Sequence, residues 1–501
     1  MKFVGLRLDG HGANVTYTDD TKVKYCEIAR DLQIKHFGYN DDLIQWSYLL
    51  KRWNVTPGEI DAIGISIDGF LHGGLQFDLN KIYEIINIPS FEQMGFTCPI
   101  FRIDHHLVHS LSIWPLKEKC DIGLIFDGFG DDFITHSIYQ GYSREEYYYR
   151  DELKSLGIIM CEVAELMKIS GLMDDLPGKL MALKAHSISP EEKRKSIISC
   201  LDKLSIKDLE YVWGHPFFQK FDFDSQADLV SIAHEVSENI FSKYFAEIAE
   251  KYGAKKVSYT GGVALNTVIN SKIREKVPGL VVPPHTNDTG ISLGIVEFLR
   301  QYYDQDEFDT SGFPFWQDDE CPSESPTEET IQETAEMLAD GMIVGWYQGH
   351  GEIGPRALGN RSILMDPSHP NGKAIINDKV KHREWYRPFG ASVLESEVSN
   401  YFDWEGKSEY MLYVMNVLDP QRFPSITHID GTCRAQTVNE TNKNFFELIN
   451  KFKEITGIPM LLNTSLNKGG KPIAGHICNA LDVFNDTDLD ALVVGNTIYR
   501  K

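Results

Sequence analysis

The 501 residues of the chain exceed what one hydrophobic core organises, so two domains are expected. Its 49 basic and 73 acidic residues leave a formal net charge of −24, which argues against non-specific attraction to nucleic acid or an anionic membrane but permits a local basic pocket. Eight cysteines without a Cys-x-x-Cys pair argue against a disulfide framework or zinc ribbon, and no apolar run approaches membrane-spanning length, so a soluble cytoplasmic protein is expected.

Residues 2–8 alternate as a strand does and run into the glycine turn Asp9-Gly10-His11-Gly12, with a second short strand near 15–17. Such a turn brings backbone amides close to phosphate, or is simply tight; His11 is a candidate base if other features converge on it. Lys35 and His36 lie in a basic, partly helical stretch. Residues 61–66 and 99–103 read as buried strands, and the second delivers Asp104-His105-His106-Leu107-Val108-His109. On a helix, His105 and His109 stand one turn apart on one face, where they can close on a metal ion or line a core. The His-Glu-x-x-His pattern is not met, because His106 takes the place of the glutamate. The apolar strand at 121–126 ends in Asp127-Gly128-Phe129-Gly130, a carboxylate and glycines of the kind found at metal–phosphate sites.

Residues 156–169 show the pattern of an amphipathic helix, and Gly178-Lys179 reads as a glycine–lysine step at another helix start. One long helix is predicted over 225–252. The strand at 257–260 ends in Gly261-Gly262 and opens a helix at 263–266, which includes Asn266; glycines admit phosphate and a helix N-terminus favours it. A second strand–turn–helix at 281–290 makes Asp288 another candidate metal ligand.

Between 304 and 329 ten residues are acidic and Ser, Pro and Thr are frequent, so this stretch is read as the connection between a domain at 1–325 and one at 326–501. A helix near 331–340 and a strand at 342–347 follow. The loop at 349–362 holds Arg356, Arg361, Ser362 and four glycines, and guanidinium groups grip phosphate or carboxylate bidentately. Further cations recur at Lys379, Lys381, Arg383 and Arg387, then at Arg434 behind Thr432-Cys433, and Asn463-Thr464-Ser465 closes the series. Singly each motif suits a surface salt bridge; together they place a dense cationic pocket in an acidic protein. No internal repeat is visible.

In this order the motifs resemble the O-carbamoyltransferases of the nodulation-protein-U, cephalosporin and tobramycin type, from His11 to about Phe484. The most specific parts are Gly354-Pro355-Arg356-Ala357-Leu358-Gly359-Asn360-Arg361-Ser362, Arg387-Pro388-Phe389, Thr427-His428-Ile429-Asp430-Gly431-Thr432 and Asn463-Thr464-Ser465. The resemblance implies an α/β protein with an N-terminal duplicated actin-like (ASKHA) domain and a C-terminal YrdC-like α/β domain. It implies that carbamoyl phosphate, bound in the second domain, yields carbamate. ATP captures the carbamate in the first domain as carbamoyl-adenylate, which an acceptor hydroxyl then attacks.

Carried over by position, His105, His109, Asp127 and Asp288 match the metal ligands, a donor set that suits iron(II) first, then manganese or zinc, with Mg accompanying ATP. Gly128, Gly130, Lys179, Gly261, Gly262 and Asn266 match the nucleotide site. His11 matches the base on the acceptor hydroxyl and Lys35 the lysine near the polyphosphate. Arg356, Arg361, Lys381, Arg387, Arg434, Asn463 and Ser465 fall where carbamoyl phosphate is held. The sequence departs from the pattern before Lys35, at Asp131 where glutamate is expected, and at His476 where proline is usual. The expected acceptor is a small hydroxylated molecule, neutral or cationic, with no membrane partner and a homodimer left open. A hydroxymethylpyrimidine nucleotide or DNA, or tRNA threonylcarbamoyl transfer, is the alternative that the net charge disfavours, although a local basic groove can outweigh the global sign.

Overall fold

In the computed structural model, which describes residues 1–8, 10–39, 45–67, 78, 81–214 and 225–501, the chain opens as an antiparallel meander. Its strands are β1 (Lys2–Arg7), β2 (Asn14–Asp19) and β3 (Lys22–Glu27). Asp9, in the turn expected after β1, lies outside the described residues. Next come β4 (Ala62–Ser66), β5 (Tyr83–Ile86) and β6 (Ile100–Ile103). β4 pairs parallel to β1 and β6 parallel to β4, giving the order β3-β2-β1-β4-β6-β5.

The pattern then recurs. β7 (Ile122–Phe126), β8 (Ile134–Gln140) and β9 (Ser143–Tyr149) form a second meander, and β10 (Val257–Thr260) and β11 (Leu280–Val281) add in parallel on the other side of β7. The order β9-β8-β7-β10-β11 repeats β3-β2-β1-β4-β6 strand for strand. The unit is duplicated in topology although no repeat shows in the residues: the copies share burial and strand direction, not side chains.

The helix Ile291–Tyr302 follows β11 but packs back on β1 and β4 of the first sheet and on the helix His105–Leu111. Gly294 makes that approach: a Cβ there would stand 1.9 Å from the Val108 carbonyl oxygen. Together the two sheets and this crossing helix form the frame in which β6, β7 and the turn after β11 end close together.

The rest of the chain builds one nine-stranded mixed sheet from β12 (Val344–Tyr347), β13 (Arg361–Met365), β14 (Gly390–Leu394), β15 (Phe402–Asp403), β16 (Val414–Val417), β17 (Thr432–Val438), β18 (Met460–Ser465), β19 (Ala491–Val494) and β20 (Thr497–Arg500). Its order is β15-β16-β17-β14-β18-β13-β12-β19-β20. A separate apolar core runs from Ile331 to Val494, with the helices Glu328–Ala339 and Lys443–Thr456 packed on each other. The acidic stretch at 304–329 is more than a tether. Gln317 bridges Tyr25 and Gly351, its side-chain carbonyl accepts from the Glu27 N–H at 2.9 Å, and Asp319 is buried against Arg361. Among the described residues no helix is long and apolar enough to cross a membrane.

Because Val108 lies between the two histidines on their helix, Gly294→Ala is expected to cost about 1–3 kcal/mol through overpacking. The check is a lowered urea midpoint at unchanged slope; an unchanged midpoint would show that the helices separate freely.

Candidate metal and anion sites

The helix His105–Leu111 starts where β6 ends. The Asp104 carboxylate caps it, accepting from the Leu107 N–H at 2.7 Å, and Asp131 accepts from the His105 N–H at 2.9 Å. The expected i,i+4 face forms. His105 and His109 look across at Asp127, just past β7, and at Asp288, in the turn before the helix Ile291–Tyr302. His105 Nε2 lies 3.1 Å from Asp127 and 3.7 Å from Asp288; His109 Nε2 lies 3.3 Å and 3.4 Å from the same two carboxylates. One ligand atom from each of the four falls within 4.8 Å of all the others, and all four residues are buried.

Both ring nitrogens of His109 and one Asp288 oxygen have no hydrogen-bond partner in this buried setting. Unsatisfied lone pairs that converge from imidazole and carboxylate fit a divalent cation. The remaining donor and acceptor positions are fixed from outside: Arg7 donates to Asp288 Oδ2 at 2.9 Å, the Gly262 N–H to Asp127 Oδ1 at 2.9 Å, and Ser66 Oγ meets His105 Nδ1 at 3.2 Å. Burial alone would lower the His109 pKa, but the Asp127 and Asp288 carboxylates outweigh it and hold it at about 9. His106 turns off this face to Ser137. His11 is exposed, and its turn rests on the loop that carries Asp288: a Cβ on Gly12 would come within 3.2 Å of Asp288 Cβ, and Asn14 donates to the Asp288 carbonyl at 2.8 Å.

The glycine pair lies where expected, at the end of β10, with the Gly261 N–H donating to the Thr286 carbonyl at 2.7 Å. The helix after it starts later than predicted. A 3-10 turn, Gly262–Leu265, intervenes, and Asn266 caps the helix Thr267–Lys276 by accepting from the Ile269 N–H at 3.2 Å. The Asn266 amide nitrogen is also engaged, at 2.9 Å from His234, whose other nitrogen meets Glu238 at 2.6 Å. Gly128 faces open space, whereas Gly130 is packed beside His106. Lys179 is the fourth residue of the helix Leu176–Leu183 rather than its start, and Lys35 is clamped on Asp175 at 2.6 Å.

In the second half, the nine-stranded sheet aligns Arg434 on β17, Gly390 on β14 and Asn463 on β18 in one row. Arg356, Arg383, Arg387, Arg434 and Lys381 crowd at this end. Burial and the neighbouring cations lower Arg383 to about 9, and burial, partly offset by Cys433, lowers Arg434 to about 10. Arg356 and Lys381 fall well below their ordinary values for the first two reasons. Lys381 is held by Ser465 and by Asn467, whose side-chain oxygen is 2.7 Å away. Among the described residues, the one carboxylate at ion-pair distance from any of these five cations is Glu384, 3.6 Å from Arg387. Arg383 was visible in the sequence as a cation but carried no motif of its own.

Arg361 is not part of this cluster. Its guanidinium lies over the Tyr347 ring, 3.6 Å from the centroid, pairs with Asp319 at 2.8 Å and donates to the carbonyls of Gln348 and Gly349. Arg356, by contrast, reaches the other half, with a guanidinium nitrogen 3.5 Å from the Leu265 carbonyl. Its loop is pressed against the loop leading to Asp288, since a Cβ on Gly354 would stand 2.1 Å from the Pro284 oxygen. The cation cluster therefore abuts the glycine loop.

Residues 79–296 match the family model of the carbamoyltransferase N-terminus, and residues 335–501 that of the carbamoyltransferase C-terminus. The chain belongs to the carbamoyltransferase family of enzymes. Nodulation protein NolO of Bradyrhizobium diazoefficiens is 30% identical over 445 residues, covering 80% of this chain and 79% of NolO. NolNO of Sinorhizobium fredii is 30% identical over 438 residues, covering 80% of this chain and 64% of NolNO. The 3'-hydroxymethylcephem-O-carbamoyltransferase of Amycolatopsis lactamdurans is 31% identical over 338 residues, 65% of each chain. The four His and Asp ligand candidates and the glycine loop fall inside the first matched span and the cation cluster inside the second; His11 and Lys35 precede both.

Two substitutions separate the sites. His109→Ala is expected to weaken divalent-metal binding by more than the roughly 10–100-fold that loss of an outer partner costs, measured by calorimetry and by metal content after dialysis. Arg361→Ala leaves the buried Asp319 with only His350, 3.6 Å away, and the Gly351 N–H as partners, and is expected to cost about 3–5 kcal/mol of stability. Wild-type denaturation of that variant, with carbamoyl phosphate binding lost, would return Arg361 to the anion site.

Proposed function

We propose that the chain is an ATP-dependent O-carbamoyltransferase whose residues 1–325 form an actin-like unit and residues 326–501 a YrdC-like unit. Hydrolysis of carbamoyl phosphate in the second unit yields carbamate and phosphate. The carbamate oxygen attacks the α-phosphorus of ATP in the first unit, forming carbamoyl-adenylate and releasing pyrophosphate. The acceptor hydroxyl then attacks the carbamoyl carbon, AMP leaves, and the hydroxyl proton passes to a base.

The observation that carries this reading is the group of cations, buried Lys381 with half-buried Arg356, Arg383, Arg387 and Arg434, with one carboxylate among them and Arg356 reaching the glycine loop. Cations left without acidic partners in a half-buried cleft cost stability unless an oxyanion supplies the missing charge. The strand–glycine turn at Gly261-Gly262, with a 3-10 turn before the next helix, supports nucleotide phosphate on the other side of the same contact. The short reach from Arg356 to Leu265 supports a short transfer of a labile carbamate between the two proposed sites. A divalent ion, iron(II) by preference, held by His105, His109, Asp127 and Asp288, would supply positive charge to phosphate oxygens. His11, exposed on the turn beside Asp288, is proposed as the base, with Lys35 near the polyphosphate. The cephem enzyme acts, by its name, on a hydroxymethyl group. For this chain a small neutral or cationic alcohol is proposed as acceptor.

The test separates the half-reactions. Arg356→Ala should cost about 2–5 kcal/mol, roughly 30-fold or more in carbamoyl phosphate affinity, while nucleotide binding persists. With an acceptor identified by mass-spectrometric gain of one carbamoyl group, His11→Asn should keep pyrophosphate release but lose roughly 100-fold or more in transfer. Loss of both steps together in His11→Asn would remove the base assignment.

A further inference from the structure

Two cations assigned to different ligands meet on one carboxylate. Lys179, from the helix Leu176–Leu183 in the first half, lies 2.5 Å from Glu384 Oε1; Arg387, in the second half, lies 3.6 Å from Glu384 Oε2. Glu384 stands on the segment between the turn Asn377–Lys381 and β14, next to Arg383 and three residues before Arg387. Burial would raise its carboxyl pKa, yet Lys179 and Arg387 hold it below the ordinary value, so it stays ionised. No other carboxylate among the described residues pairs with the five-cation cluster or with Lys179. A carboxylate divided between an ammonium and a guanidinium fills the part that a phosphate oxygen would take.

We propose that Glu384 is a positioning residue that couples the two substrates by withholding Lys179 from the nucleotide until carbamoyl phosphate fills the cation cluster. This rests on the reading above, in which Lys179 serves the nucleotide and Arg387 the carbamoyl phosphate. A phosphate that enters beside Arg383, Arg387 and Arg434 takes over the guanidinium of Arg387 and repels the adjacent carboxylate. Glu384 then loses one of its two cations and gains a like-charged neighbour, so its hold on Lys179 weakens. The freed ammonium turns to the nucleotide phosphates. The linkage is reciprocal: bound nucleotide, by claiming Lys179, must favour carbamoyl phosphate by the same factor. ATP would thus be engaged chiefly when carbamate is about to be formed.

The coupling is measurable without turnover. Calorimetric titration with α,β-methylene-ATP is carried out with and without phosphonoacetamide, a non-hydrolysable stand-in for carbamoyl phosphate. In the wild type, saturating phosphonoacetamide should tighten nucleotide binding by about five-fold or more. Glu384→Gln, which keeps the side chain's shape, should bind nucleotide as tightly without phosphonoacetamide as the wild type does with it, and show no further gain. Glu384→Ala should behave likewise. A merely structural role would instead weaken binding and leave the coupling ratio intact, which would overturn the proposal. So would a wild type that binds both probes independently, an outcome that leaves the functional reading standing. A wild type that binds neither probe would remove the functional reading and the coupling with it.

Discussion

The four side chains His105, His109, Asp127 and Asp288 are buried together only because strands from two separate sheets end at one place. Charge forces the rest of the arrangement. Two carboxylates taken out of water need cationic or hydrogen-bonding partners, and the chain supplies Arg7 to one and the Gly262 amide to the other. Each of those partners belongs to an element with its own reason for being near: Arg7 ends β1, and Gly262 opens the turn after β10. The two sheets, the crossing helix Ile291–Tyr302 and the glycine loop are thus positioned by one electrostatic requirement.

The cation cluster in the second half meets the opposite problem, a local excess of positive charge. Carbonyl and amide oxygens stand in for the missing acids: Lys381 sits among oxygens of Ser465 and Asn467, and Arg383 donates to Asn377 at 2.8 Å. Neutral oxygens orient cations without discharging them, which leaves their attraction available to a ligand. Arg361 shows the contrast. Given Asp319, it is an ordinary buried ion pair that holds the acidic stretch on the edge of the second half.

Much of the candidate site is legible in the chain because it sits at strand ends marked by glycine. The His105/His109 spacing, Asp127 before Gly128 and Asp288 in a turn between strand and helix carry local signals, and the structure gathers the four residues into one cluster. What fails is assignment within a motif. Arg356 and Arg361 share one loop pattern, but Arg361 is the first residue of β13, opposite Tyr347, so strand pairing directs it to Asp319 while Arg356 stays in the loop. Composition is silent at 304–329 for the same reason, since the acids of the stretch read as a connection include the partner of that arginine. The duplication is invisible as a repeat because pairing direction and burial are preserved by many sequences. Pairs such as Lys179 with Glu384 are set by how the halves meet, and no local pattern encodes that.

The cation cluster lies inside a protein of net charge −24. A phosphate-bearing molecule would therefore approach against repulsion and find attraction only near the mouth, within about a Debye length, ~10 Å at 0.1 M salt. Added salt screens the far field before it weakens the buried contacts, so capture quickens over a range of ionic strength in which residence in the pocket is barely changed. The molecule thereby sorts anions by extent. A compact one crosses the barrier once and is held, whereas a long polyanion keeps most of its charge in the repulsive region even when one end has arrived.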